Sequence, residues 1–443
     1  MMGQIEHQEQ LFYRLRLEDY IPEGHLLRRV DQLVDFSGLR TELAALYSHT
    51  GRPSVDPELM IRMLLVGYLY GIRSETRLCE EVHLNLAYRW FCRLGLEGAV
   101  PERSTFSKNR HGRFADGDVM RRVFDLVVGV CADSGLIGGT GALVDGSTVH
   151  ADANRARKAA PAEVAATWAA GNDVSRPVQD YLDSLEDDTP PVPGPKHKAP
   201  KYLSETDPQS AWSLKDGPGR FSYEVNYLAD DKHAIIVDVE GTPARLSQEI
   251  VAAKAMLERQ VAGYDPKTIA ADKSYGTGPF LSWLLERKIT PYIPVLDRKA
   301  QTYGKFTRDA FNYDAANDLY VCPQGHQLPL KSIDQDTRVK RYKATPSQCR
   351  GCPLKRQCTD APSRAVMRLM DEEARQTVRD LADTKAFQVA RTRRKKIEML
   401  FAHLKRWQKL TRLRLRGLSG AKEEFLLAAT AQNLKRLVKL VPT

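Results

Sequence analysis

The sequence contains no apolar run approaching the roughly 20 residues needed to cross a bilayer as a helix. Its start, MMGQIEHQEQ, lacks the basic segment and apolar stretch of a secretion signal, so a cytoplasmic protein is expected. Cysteine is scarce, with seven in 443 residues and four of those between 322 and 358. Such usage excludes a disulfide framework, and in a reducing compartment the bunched cysteines read as a metal site. No internal repeat is present, which excludes a solenoid or array. The chain is long enough for two or three domains and at least one sizeable core.

Lys and Arg total 66 against 56 Asp and Glu, a net charge of +10. That excess alone says little about partners, but its placement says more. Between Arg391 and Arg416 lie eleven Lys or Arg residues and one carboxylate, Glu398. A stripe of this kind suits a polyanion, because each phosphate neutralised releases condensed counterions.

Up to about residue 135 the pattern is helical. Pro57 opens PELMIRMLLVGYLYGI, Gly71 stands near its end, and Ser74 is the expected cap of one helix over SETRLCEEVHLNLAYRWFC. STFSKNR opens a later short helix, which suggests a helix-turn-helix with basic residues near 103–113, Arg110 among them, as candidate base readers. A helical bundle used for dimerisation is the competing reading.

From 141 the periodicity changes to strands. GALVDGSTVHA, RFSYEVNYLAD, HAIIVDVE, KTIAAD and ITPYIPV read as strands, the second and third as a hairpin across Asp230–Lys232. Helices are expected over about Arg245–Ala262 and Gly278–Arg287, giving the order β-β-β-α-β-α-β of an α/β layer arrangement. Residues 155–215, with the Pro-rich TPPVPGPKHKAP, read as a surface insertion or linker. After a cysteine-bearing stretch over 300–365, one long helix is expected around Asp371–Leu413 and a final one over AKEEFLLAATAQNLKRLVKL.

Asp145 follows the apolar part of the first strand and Asp272 ends the fourth, positions where α/β sheets collect functional groups. On a helix turning about 100° per residue, Arg391, Arg394, Glu398 and Lys405 share a sector of roughly 60°. Ile397, Phe401, Leu404 and Trp407 form the adjoining stripe that would dock this helix on the sheet. The bland alternative is a surface helix with an Arg394–Glu398 pair. Three converging carboxylates among cations instead suit two Mg²⁺ ions acting on a phosphodiester.

At these residues the sequence resembles the DDE transposases of bacterial insertion sequences, in the group with a Tyr-x2-Arg-x3-Glu-x6-Lys helix. Arg394, Glu398 and Lys405 match that pattern, with Arg391 in place of Tyr, and VDGSTVHADANR and IAADKSYGT match the two Asp motifs. GRPSVDPELMIRMLLVGYLYGIRSE and STFSKNR are similar to the helical region that precedes the core in this group. The resemblance implies an RNase H-like core, a mixed sheet with flanking helices, behind an all-helical N-terminal domain. The implied division is 1–135 helical, 136–299 the first part of the core, 300–365 a Cys-rich zinc-ribbon-like insertion, and 366–443 the helices that complete the core. It further implies Mg²⁺-dependent nicking at transposon ends, Mn²⁺ serving as a substitute, and strand transfer of the 3′-hydroxyl into target DNA. Asp145, Asp272 and Glu398 take the catalytic and metal-binding roles, and Arg391, Arg394, Lys405, Lys273 and Tyr275 are the candidate DNA contacts. Double-stranded DNA is the expected partner, with a homodimer in the synaptic complex and a nucleoid-associated location.

Cys322 begins CPQGH, and Cys349, Cys352 and Cys358 lie in CRGCPLKRQC. A C-x2-C turn lets two thiolates reach one zinc ion, so these four are the candidate ligands, with His326 as an alternative. Two competing functions remain: an RNase H-fold host nuclease, and a catalytically inactive transposase-derived DNA-binding protein.

Overall fold

Helix boundaries follow capping residues. The computed structural model describes residues 16–47, 54–114, 118–161, 163–164, 168, 174–186, 200–215, 217–245, 248–296 and 304–442. Before Gly141 these form α1 (Leu17–Tyr20), α2 (Leu26–Leu33), α3 (Gly38–Glu42), α4 (Pro57–Tyr70), α5 (Glu75–Leu84), α6 (Leu86–Phe91), α7 (Arg103–Asn109) and α8 (Val119–Asp133). Asp56 caps α4 by accepting from the Glu58 and Leu59 amides, and Gly71 ends it in the left-handed conformation. Ser74 caps α5 as expected. The single helix expected over 74–92 is two, because the Asn85 side chain accepts from the Ala87 and Tyr88 amides and starts α6 afresh. Arg110, a candidate base reader, is buried and paired with Glu75 at 3.0 Å, so it is not presented to DNA.

The main sheet contains β1 (Gly141–His150), β4 (Ala211–Ser213), β5 (Arg220–Asp230), β6 (Ile236–Pro243), β7 (Thr268–Ala270) and β8 (Thr290–Tyr292); β2 (Lys158–Ala159) and β3 (Leu203–Ser204) pair separately. Its order is β4-β5-β1-β7-β8, with β6 beside β5; β5 runs antiparallel to β1 and β6, while β1, β7 and β8 are parallel. Beyond its first residue β5 is buried on both faces, as expected of a strand covered by helices on each side. The fold is mixed α/β.

The Pro-rich stretch 189–199 lies outside the described residues. The rest of 155–215 is not all surface. It carries α9 (Arg176–Glu186) and β4, whose Trp212 packs edge-on against Phe221 at 5.1 Å. Asp207 is fully buried, accepting from the Tyr223 hydroxyl at 2.5 Å and the Gly417 amide at 3.3 Å. The aromatic cluster and this buried acceptor tie the segment to the sheet.

The later helices are α10 (Gln248–Arg259), α11 (Gly278–Glu286), α12 (Pro346–Arg350), α13 (Lys355–Cys358), α14 (Glu372–Ala382), α15 (Lys385–Arg406) and α16 (Gly417–Leu440). The one long element expected around 371–413 therefore divides, because Thr384 accepts from the Phe387 amide and caps a new helix. Ile397, Leu400, Phe401 and Leu404 dock α15, with the Phe401 ring stacked on Tyr227 at 4.8 Å. Trp407 does not belong to that stripe. It lies just past the end of α15 and is 70% exposed.

Residues 424–434 of α16 are buried all round, because the helix lies between the sheet and α4 and α8. Asn433 is satisfied there: it donates to the Ile236 carbonyl at 2.7 Å and accepts from the Ile236 amide at 2.8 Å. One hydrophobic core runs through the N-terminal helices and the sheet. A second, small core of Phe311, Tyr320, Leu328, Tyr342, Ala344 and Val366 belongs to a separate antiparallel sheet. Its order is β13-β12-β11-β10-β9, from β9 (Asn312–Asp314), β10 (Leu319–Val321), β11 (Gln327–Asp334), β12 (Val339–Lys343) and β13 (Ala365–Leu369). Among the described residues no helix is long and apolar enough to cross a membrane.

Candidate active site

β1 and β7 pair in parallel from Gly141↔Thr268 to Leu143↔Ala270. Asp145 and Asp272 each lie two residues beyond that last pair, so the register sets the two carboxylates level with each other. Burial pushes the Asp145 carboxyl up to about 6. The Gly146 amide, donating at 2.9 Å, works against this shift, Asp272 and Glu249 add to it, and Arg394 opposes it. Asp272 caps the short turn Lys273–Tyr275, accepting from the Ser274 amide at 2.8 Å and hydroxyl at 2.5 Å. The turn requires glycine at 276, where a Cβ would lie 2.0 Å from the Pro294 carbonyl oxygen.

Glu398 approaches from α15. Its side chain is 50% exposed and pairs with Arg394 at 2.8 Å, and Arg394 also reaches Asp145 at 3.8 Å. The structure thus brings Asp145 and Asp272 together directly and links Glu398 to Asp145 through a guanidinium. Among the described residues no three carboxylates, imidazoles or thiols converge closely enough to cage a metal ion. The donor set still fits a hard divalent cation: it is all oxygen, burial and the nearby Asp272 raise the Asp145 carboxyl and so favour a compensating positive charge, and a cationic side chain already bridges two of the carboxylates.

A cleft of about 530 Å³ opens beside Asp272, with Lys273, Arg379, Arg391 and Arg394 among its lining. Three of the expected phosphate contacts, Lys273, Arg391 and Arg394, therefore share one wall with Asp272. Lys405 lies two turns further along α15 and is half-buried. Tyr275 does not fit its expected role as a DNA contact. It is fully buried beside Phe280, with its hydroxyl inside the core.

Sequence reasoning missed Glu249, Lys215 and Glu224. Lys215 bridges Glu224 at 2.8 Å and Glu249 at 3.0 Å, and Glu249 accepts from the Ser274 hydroxyl at 2.9 Å. Burial raises the Glu224 carboxyl above its ordinary range, Lys215 opposing and Glu249 reinforcing the shift. No spacing rule links these three positions, because they come from a loop, β5 and α10.

Residues 15–112 match a family described as a transposase domain (DUF772), and residues 321–438 match a transposase DDE domain. The chain belongs to the DDE transposases of insertion sequences. The second match contains Glu398 and the first contains α4 and α5, so the two flank the strands that carry Asp145 and Asp272. No curated protein matches the transposase. Among solved structures, a cryo-EM structure of a piggyBac transposase synaptic complex with hairpin DNA matches at 11% identity and a TM-score of 0.34, over 93% of this chain and 74% of that one. A likeness at that level carries no argument. The family assignment sets aside the host-nuclease reading.

Beside the transposase's small sheet, Cys322, Cys349, Cys352 and Cys358 are free and half-buried. Burial raises the Cys358 thiol, Arg364 opposes this, and Cys349, Cys352 and Cys322 each raise it further, so those three thiols lie within electrostatic reach of Cys358. The Cys322 amide donates to the His326 carbonyl at 2.9 Å, closing the CPQGH turn.

The raised Asp145 carboxyl has a stability consequence. A carboxyl with a folded value above its unfolded one stabilises the fold below pH ~4, and that contribution is lost as pH rises to about 6. Asp145→Asn, which keeps the shape without the charge, is expected to stabilise the metal-free protein by about 1–3 kcal/mol at pH 7 and to do nothing near pH 4. Urea midpoints at the two pH values measure this; a variant less stable than wild type at pH 7 would show that the buried charge is already well compensated.

Proposed function

We propose that the transposase nicks transposon ends and joins the freed 3′-hydroxyl to target DNA at a metal site formed by Asp145, Asp272 and Glu398. The observation that carries this reading is the level placement of Asp145 and Asp272 at neighbouring parallel strands, with Arg394 holding Glu398 toward them. The order β6-β5-β1-β7-β8, with only β5 antiparallel to its neighbours, supports an RNase H-like core. We assign 136–299 and 366–443 to that core, 1–135 to a helical DNA-binding and dimerisation region, and 300–365 to a Cys-rich insertion with its own small core.

Two divalent ions, Mg²⁺ or Mn²⁺, would supply charge to the entering and leaving oxygens of an in-line displacement at phosphorus. The chain's own residues do the rest. Asp145 sheds its proton readily near neutral pH, so its carboxylate is available when cations are present. Ser274 fixes the Asp272 oxygen through two hydrogen bonds. Lys273, Arg391, Arg394 and Lys405 grip phosphates on either side of the scissile one. Strand transfer forms one P–O bond as another breaks, so it needs no external energy source. Two ends must be held together, so the active complex contains at least two protomers.

The test is cleavage of a labelled transposon-end duplex. Nicking with Mg²⁺ and none with chelator supports the reading, whereas nicking in excess chelator overturns it. The four cysteines are proposed to hold a structural zinc, kept distinct from the oxygen site by their softer sulfur. Elemental analysis should find one zinc per chain, and its absence from protein purified without chelator removes that assignment.

A further inference from the structure

A second concentration of cations lies away from the carboxylates. α4 ends at Gly71 with φ +67°, and a Cβ there would stand 2.6 Å from the Trp407 carbonyl oxygen. The α4–α5 turn therefore packs closely against the chain that leaves α15. His150 at the end of β1 holds the same segment, its amide donating to the Thr411 carbonyl at 3.1 Å and its carbonyl accepting from the Leu413 amide at 2.7 Å. Between these walls is an open groove of about 580 Å³, lined by Arg73, Arg77, Lys409, Arg412 and Arg414 against a single carboxylate, Asp152.

Part of this charge is committed and part is not. Arg412 pairs with Asp152 at 2.9 Å, and Arg77 pairs with Glu81 at 3.1 Å. Arg73 is anchored on buried Glu424 and keeps one Nη without a partner. Among the described residues no hydrogen bond or ion pair engages the Lys409 or Arg414 side chain. A smaller hollow of about 240 Å³ shares Ser74 and Arg414 and continues to Arg103 and Ser107 on α7. Several cations around an open hollow that continues into a second one fit a chain of phosphates better than one small anion.

The spacing relates this groove to the catalytic carboxylates. Asp145 and His150 are five residues apart on β1, about 16 Å at 3.3 Å per residue. At 3.4 Å per base pair that span is about five base pairs of B-form duplex.

We propose that this groove holds the phosphate backbone of the same DNA duplex that is cut, about five base pairs from the scissile phosphate. Arg77, Lys409, Arg412 and Arg414 make the contacts. The inference rests on the reading that DNA is cut at Asp145, Asp272 and Glu398.

The test uses Arg77→Ala/Lys409→Ala, two exposed positions whose loss leaves the core untouched, with thermal unfolding confirming the fold. Binding is followed by fluorescence anisotropy on a transposon-end duplex reaching fifteen base pairs to each side of the cut, and on duplexes truncated to three base pairs on one side or the other. On the long duplex the slope of log K against log salt should fall by about 1.8, so the variant loses roughly tenfold less affinity than wild type between 50 and 200 mM salt. On the duplex truncated on the groove side, variant and wild type should bind alike. An unchanged slope on the long duplex overturns the proposal, as does an equal loss on all duplexes, which would mean diffuse attraction. Failure of wild type to nick in Mg²⁺, with the slope difference intact, would count against the metal site and leave the groove standing.

Discussion

Glu398→Gln should lower the rate of transposon-end nicking by at least about 10³-fold, the scale of loss when a group that stabilises transition-state charge is removed. Affinity for the same duplex should change less than about threefold, since removing one negative charge beside DNA does not weaken phosphate contacts. The substitution keeps the side chain's shape and an oxygen that can accept from Arg394. Glu398 is half exposed, and an exposed i,i+4 pair such as Arg394–Glu398 contributes only about 0–1 kcal/mol. Loss of folding therefore cannot imitate the expected loss of activity. Single-turnover nicking within threefold of wild type would reduce Glu398 to a surface charge and break the triad.

The second large effect concerns stability. Glu424 on α16 is 1% exposed and accepts from Arg73, from the Tyr68 hydroxyl at 3.3 Å, and from the Arg414 and Leu415 amides at 2.6 and 2.7 Å. Burial alone would raise its carboxyl. Arg73, Arg110 and the two amides outweigh that and hold it below the usual carboxylate range. Glu424→Gln removes the anion paired with Arg73, whose side chain is 9% exposed, and stranding a buried charge costs about 3–5 kcal/mol. A fall of that size in unfolding free energy is expected from urea titration at pH 7. The carboxyl is depressed, so its contribution is present above the unfolded value and disappears as pH falls through the folded one; the two proteins should converge in acid. A variant within 0.5 kcal/mol of wild type at pH 7 would mean that the arginines find water or other partners. The same network fixes the backbone at 414–415 beside the basic groove, so its loss should also weaken binding to long duplexes.

The three proposed site residues stand out in the sequence because each sits at an abrupt local change. Asp145 and Asp272 terminate apolar stretches of strand character, and Glu398 is a lone anion in a run of cations. The hairpin of β5 and β6, and the alternation that follows it, came from period-two patterning and turn residues, which act over a few neighbours. Helix starts at Pro57 and after Ser74 were legible for the same reason. The splits at Asn85 and Thr384 were passed over because the apolar pattern continues across them, although both residues are ordinary caps.

By itself, then, the sequence determined where strands and helices form, which acidic residues stand at their ends, and where positive charge accumulates, since these depend on local periodicity and composition. Only the tertiary structure decided which faces meet. It buried Tyr275 and Arg110, left Trp407 exposed, drew Glu249, Lys215 and Glu224 around the carboxylates, and closed Glu424 on two arginines. These outcomes depend on desolvation and on partners from other elements, as far as 351 residues away along the chain for Glu424 and Arg73, and no local pattern encodes them.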